Sequence, residues 1–130
     1  MKGIDTNVLV RYLVQDDPAQ SIKATHFIER TAHASSIAIN GIILCELVWV
    51  LESAYHYSRE TVVTVLEHIL KTKQFHIHEP DILWQSLNGY KNDGADFADY
   101  YIAYLNHHQG AEYTVTFDKK AAKCKHFKLL

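Results

Sequence analysis

At 130 residues, 48% hydrophobic and 22% charged, the chain has the composition of one ordinary globular domain, 1–130, able to bury a core without disulfide or metal staples. No apolar run approaches the roughly 20 residues of a membrane span, and Met1-Lys2-Gly3-Ile4-Asp5 lacks the apolar stretch of a signal peptide, so a cytoplasmic location away from membranes is expected. The net charge of −2 does not mark a nucleic-acid binder, although Lys119, Lys120, Lys123, Lys125 and Lys128 crowd the end of the chain, either as phosphate contacts or as a solvated basic end.

Lys2 to Ile4 is a short apolar start, and Asp5-Thr6-Asn7 opens a helix through Val8, Leu9, Tyr12 and Leu13. Asp16-Asp17-Pro18 starts a second helix, since proline suits a first turn, with Ala24, Phe27 and Ile28 as its apolar stripe. Ile37-Ala38-Ile39 reads as a strand, and Asn40-Gly41 as a turn or cap before a helix from about Ile42 to Tyr55. Ser58 opens the next helix, through Val62, Val63, Leu66, Ile69 and Leu70. Phe75-His76-Ile77-His78 alternates as a strand does. Pro80 opens a helix, Asn92-Asp93-Gly94 reads as a loop, and Asp96 to Asn106 is helical with Gly110 closing it. Tyr113 to Phe117 is the clearest strand, after which Asp118 is expected to cap a short basic helix. Short strands alternating with longer helices predict an α/β fold, a parallel sheet covered by helices on both faces. Cys45 and Cys124 show no Cys-x-x-Cys spacing and read as thiols of a reducing compartment.

Glu46 is the informative residue. Its helical neighbours three and four positions away, Ile42, Ile43, Trp49 and Val50, are all apolar, and no Lys or Arg lies on that helix. A carboxylate in a core-facing stripe is costly without compensation, so Glu46 is either a stripe-edge residue reaching water or a metal ligand. Asp96 and Asp99 share one face a turn apart, where like charges repel. Both can simply start a helix. That explains Asp96, with a side chain expected to cap backbone N–H groups, better than Asp99, about a turn inside. Asp5 and Asp118 each follow a strand and precede a helix, where N-capping is the plain reading. In a parallel sheet, however, ligands sit beyond the carboxyl ends of strands, where both fall. Carboxylates gathered there repel, a divalent cation relieves the repulsion, and oxygen donors select Mg²⁺ or Mn²⁺ over zinc. Such a site activates water for in-line attack on phosphate. The nine histidines show no helical His-x-x-x-His spacing, and no phosphate-binding glycine loop or nucleophile elbow is present.

These residues carry a resemblance. Ile4-Asp5-Thr6-Asn7-Val8-Leu9, Leu44-Cys45-Glu46-Leu47, Ala95-Asp96-Phe97-Ala98-Asp99-Tyr100-Tyr101-Ile102-Ala103 and Val115-Thr116-Phe117-Asp118, in that order, resemble the motifs of PIN-domain ribonucleases, and most closely the VapC toxins of bacterial and archaeal toxin–antitoxin pairs. The similarity covers essentially the whole chain. It implies a three-layer fold with a central sheet of about five strands, Mg²⁺-dependent cleavage of RNA, dimerisation, and inhibition by a co-expressed antitoxin. It places the metal ligands on Asp5, Glu46, Asp99 and Asp118, with Asp96 supporting from the rim and Thr6, Asn7 and Thr116 fixing ligands or substrate by hydrogen bonds. Other readings are a binding module that docks protein or RNA without catalysis, and a metal-dependent DNA nuclease or phosphatase. Helix 42–55 carries apolar residues on more than one face, among them Leu44, Leu47, Val48, Trp49 and Leu51, and the first helix adds Val8, Leu9, Tyr12 and Leu13. This exceeds what a thin sheet covers, so a homodimer and a groove for an antitoxin segment offering Arg or Lys are expected.

Overall fold

Local signals set most of the elements. The computed structural model describes residues 1–92 and 94–130; Asp93, in the expected Asn92-Asp93-Gly94 loop, lies outside the described residues. β1 (Lys2–Gly3) leads into α1 (Thr6–Val14), whose first turn is capped by the Asp5 carboxylate accepting from the Val8 N–H. α2 (Pro18–Ala34) is capped by Asp17, α3 (Gly41–Ser53) by Asn40 after β2 (Ile37–Ile39), and α4 (Arg59–Lys71) by Ser58. Each such cap is worth about 1 kcal/mol. β3 (Phe75–Ile77), α5 (Pro80–Asn92), α6 (Phe97–His108) and β4 (Thr114–Thr116) follow. α5 takes in Asn92, which was expected in the loop. The expected basic helix is a single 3₁₀ turn, Ala121–Lys123, and a strand not foreseen, β5 (Phe127–Leu129), closes the chain.

The fold is α/β with parallel strands throughout. The strands divide into two sheets, β1-β2-β3 and β4-β5, rather than one continuous sheet. Two-residue β1 pairs with β2 through Lys2 opposite Ile37 and Gly3 opposite Ala38 and is an edge of its sheet. Leu9, Ile37, Ile39, Leu44, Leu47, Leu51, Leu66, Ile69 and Tyr90 are fully buried in one continuous core. Truncating one of these leucines to alanine costs about 2–5 kcal/mol. α3 points Leu44, Leu47, Val48 and Leu51 into that core, the i, i+3, i+4, i+7 spacing of one face. Its Gly41 lies against Tyr101 of α6, where a Cβ would overlap the tyrosine ring. The missing side chain thus lets the helix bearing Glu46 approach the helix bearing Asp99. No helix among the described residues is long and apolar enough to cross a membrane.

Candidate active site

Because Asp5 ends β1 and begins α1, its exposed carboxylate stands at the carboxyl end of a parallel strand. Glu46 belongs to the next face of the same depression. The buried Thr6 hydroxyl donates to its Oε1 at 2.9 Å, fixing the position of the carboxylate. Asp5, Thr6, Asn7, Cys45, Glu46, Trp49 and Val50 line one cavity of about 420 Å³. Glu46 does not stand in the middle of a core-facing stripe but at its edge, where it reaches water, one of the two readings expected, with Ile43 and Val50 half-buried against the core. Glu46 is exposed, and so are its neighbours Ile42 (68%) and Trp49 (70%). An α3 that is apolar on all sides buries only one of its apolar faces, and Glu46 lies on the other. Much of the apolar surplus read from α1 and α3 is likewise core: Leu9, Leu44, Leu47, Val48 and Leu51 are buried.

The remaining acids lie on α6 and after β4. Asp96 is the N-cap residue of α6, exposed, and its side chain makes no capping hydrogen bond, contrary to expectation. Asp99 lies in the first turn of α6 rather than a turn deeper. It is nevertheless half-buried, and burial is the largest influence holding its carboxyl above the ordinary carboxylate range. The charges of Asp96 and Asp118 push the same way, and only the Asp96 backbone N–H opposes them. Asp118, at the end of β4, accepts from the Lys120 N–H at 2.8 Å and the Ala121 N–H at 3.4 Å, while its own N–H donates to the Thr116 hydroxyl at 3.0 Å. Asp118 was expected to cap a helix here; the N-cap position of the 3₁₀ turn is instead Lys120, and Asp118 accepts from the backbone of the segment that leads into the turn. Arg59 of α4 fixes the approach to this group, donating to the carbonyls of Tyr90 at 2.8 Å and Ala95 at 3.1 Å.

The expected ligands thus form two groups, Asp5 with Glu46, and Asp99 with Asp118 and Asp96. Among the described residues no three acidic, histidine or cysteine side chains lie close enough to hold a metal ion. The donor set itself is all-oxygen, the chemistry that suits Mg²⁺ or Mn²⁺. Cys45 and Trp49 line both the Asp5–Glu46 cavity and an adjoining one of about 410 Å³ that reaches Glu52 and Asp96. Neither residue was singled out from the sequence as part of the site, although Trp49 follows Glu46 by three residues on one helical face. The Cys45 thiol is no nucleophile at neutral pH: burial first, then the Glu46 charge, pushes it up to about 11.

The model of the PIN domain matches residues 3–126, and with it all four acids. The chain belongs to the PIN domain family. This PIN domain is also similar to the VapC ribonuclease of Aquifex aeolicus (strain VF5), with 24% identity over 123 residues that cover 95% of this chain and 91% of that protein.

Proposed function

We propose that this PIN domain is an Mg²⁺-dependent endoribonuclease, the toxin of a type II toxin–antitoxin pair acting in the cytoplasm. The observation that carries the reading is the half-buried Asp99, whose carboxyl is disfavoured in its charged form by burial and by the charges of Asp96 and Asp118. Asp5, Glu46, Asp99 and Asp118 would hold the ion, directly or through water, drawing on both groups, and Mn²⁺ would substitute. A bound ion would acidify the attacking water and offset the charge that builds on the phosphate. The chain's own contribution is positional. Thr6 holds Glu46, and Thr116 with two backbone N–H groups holds Asp118. Asn7 stands exposed beside Asp5, placed to donate to a phosphate oxygen.

The partners follow the same logic. An antitoxin segment offering Arg or Lys to the acids would compete with the metal. A homodimer would cover Ile42 and Trp49 of α3 and Ile102 of α6, which are 68%, 70% and 45% exposed. Light scattering at tens of micromolar is expected to give twice the chain mass; a strict monomer removes the dimer from this reading.

That no three of these side chains lie close enough to hold an ion among the described residues favours one competing reading, a PIN-fold module that binds without cutting. A panel of RNA, DNA and small phosphate esters, each with and without Mg²⁺, separates the possibilities. RNA cleavage that requires the metal is expected. Cleavage of DNA or esters alone indicates a different phosphodiester or phosphatase activity, and no cleavage with retained RNA binding indicates the module. In parallel, millimolar Mn²⁺ is expected to raise the melting temperature by mass action, about 2.7 kcal/mol at a hundred times the dissociation constant. A melt indifferent to Mn²⁺ removes the metal site.

A further inference from the structure

A second groove, larger than the acid-lined one, opens on the other side of Asp5. It has a volume of about 570 Å³, within the ~300–1,000 Å³ of small-ligand sites. Asp5 and Asn7 line both grooves, so the two adjoin at the start of α1. Here the lining changes character. Ile4, Val8, Ala24 and Phe27 give an apolar floor, and the charged side chains facing it from α1 and α2 are cations, Arg11 and Lys23. Arg11 is rigid: its guanidinium donates to Gln20 at 2.8 Å, Asp16 at 3.1 Å and Tyr55 at 3.3 Å. Lys23 is exposed and has no hydrogen-bond or ion-pair partner among the described residues. The Phe27 ring is 37% exposed, and Lys2 stands over it at 5.6 Å.

We propose that this groove is a nucleotide subsite for the residue next to the scissile phosphate in an unpaired RNA strand, with Lys23 contacting a backbone phosphate and Phe27 stacking on a base. The proposal rests on the ribonuclease reading for its substrate and adds where the strand runs. The charge pattern selects this occupant. A phosphodiester chain entering a cluster of acids gains nothing from them outside the bound ion, so affinity has to come from cations beside the cluster; Arg11 is ion-paired with Asp16, and Lys23 is the cation left to supply it at the groove that shares Asp5. An aromatic ring facing the groove reads a splayed-out base, which a stacked duplex does not present. The subsite therefore favours single-stranded over double-stranded RNA.

The test uses the full chain and a fluorescently labelled ten-nucleotide single-stranded RNA of mixed sequence, with binding followed by polarisation in the Asp99→Asn background to stop cleavage. Lys23→Glu is expected to weaken binding ~10-fold and to lower the slope of log affinity against log salt by about 0.7, one single-strand phosphate contact. With Asp99 intact, the same substitution is expected to raise KM in step while kcat changes less than ~2-fold. Lys23→Arg restores both. Phe27→Ala is expected to lose ~5- to 100-fold in binding and Phe27→Tyr to regain most of it, the range of one base-stacking contact. Lys23 is a surface residue, so its variants keep the proposal testable if Phe27→Ala fails to fold. A Lys23→Glu protein with unchanged salt slope and KM overturns the subsite alone. So does one that keeps RNA affinity but no longer self-associates, which makes the groove a protein interface. A wild type that binds the oligonucleotide with this Lys23 dependence yet cuts no RNA overturns the nuclease reading and leaves the subsite standing.

Discussion

The two acid groups solve the same electrostatic problem differently. On the α1–α3 side, each carboxylate has a donor: Asp5 takes the Val8 N–H and Glu46 the Thr6 hydroxyl, and both are exposed to water. On the α6–β4 side, Asp99 is half-buried and faces two further carboxylates, with one backbone N–H in opposition. The first pair has hydrogen-bond donors; in the second, burial and two neighbouring carboxylates disfavour the charged Asp99, which a cation would favour. Asp99 is therefore where a carboxylate kept for metal binding should cost the metal-free protein stability, a tension expected at sites kept for function.

Replacing Asp99 gives the largest expected effect. Asp99→Asn removes charge from the loaded side and is expected to cut RNA cleavage by more than the ~10- to 100-fold typical of losing an outer-sphere partner. Mn²⁺ affinity should fall with it, because an amide cannot supply the charge that holds the ion. Asp96→Asn should retain measurable activity, since Asp96 is exposed and at the rim. Cleavage rates and Mn²⁺ titration on both variants, with circular dichroism to confirm folding, check the pair. A dead Asp96→Asn beside an active Asp99→Asn reverses the assignment.

On the quieter side, Thr6→Val keeps shape but removes the hydroxyl that fixes Glu46, and a loss of about 10-fold in kcat is expected. An unchanged kcat would mean that Glu46 needs no positioning.

The smallest effect, and the sharpest contrast, lies in the metal-free protein. The native pKa of Asp99 lies above its ordinary 3.8, so the folded state binds more protons than the unfolded state between those values. Its stabilising contribution is present below 3.8 and is lost as pH rises through the raised native value. Asp99→Asn lacks this loss. In metal-free buffer at neutral pH it is expected to melt higher than wild type by about 2 °C, with the difference shrinking toward acid. Equal melting temperatures at neutral pH would show that the repulsion is already relieved. Saturating Mn²⁺ should reverse the ranking.

Much of this molecule is legible one residue at a time. Asp5, Asp17, Asn40 and Ser58 cap the helices they were expected to cap, and the strands at Ile37–Ile39 and Phe75–Ile77 alternate visibly, because caps and periodicity are local chemistry. Asp96 broke the pattern. It occupies the cap position without capping, and nothing in Ala95-Asp96-Phe97 signals that. β5 was invisible because Phe127-Lys128-Leu129 is only three residues in a lysine-rich tail, and pairing with β4 makes it a strand.

What the chain decides by itself is the order of elements and the four acid-bearing motifs that mark it as a PIN domain. The sequence could not say which face of α3 is buried. Where every face is apolar, periodicity carries no direction, and only packing against the rest of the core sends Leu44, Leu47, Val48 and Leu51 inward and leaves Glu46 and Trp49 in the cavity. Nor could it divide the four acids into a hydrogen-bonded pair and a repelling one. That division follows from Thr6 meeting Glu46 forty residues away and from α6 bringing Asp99 within the electrostatic reach of Asp118, relations between segments distant in the chain that only the tertiary fold creates.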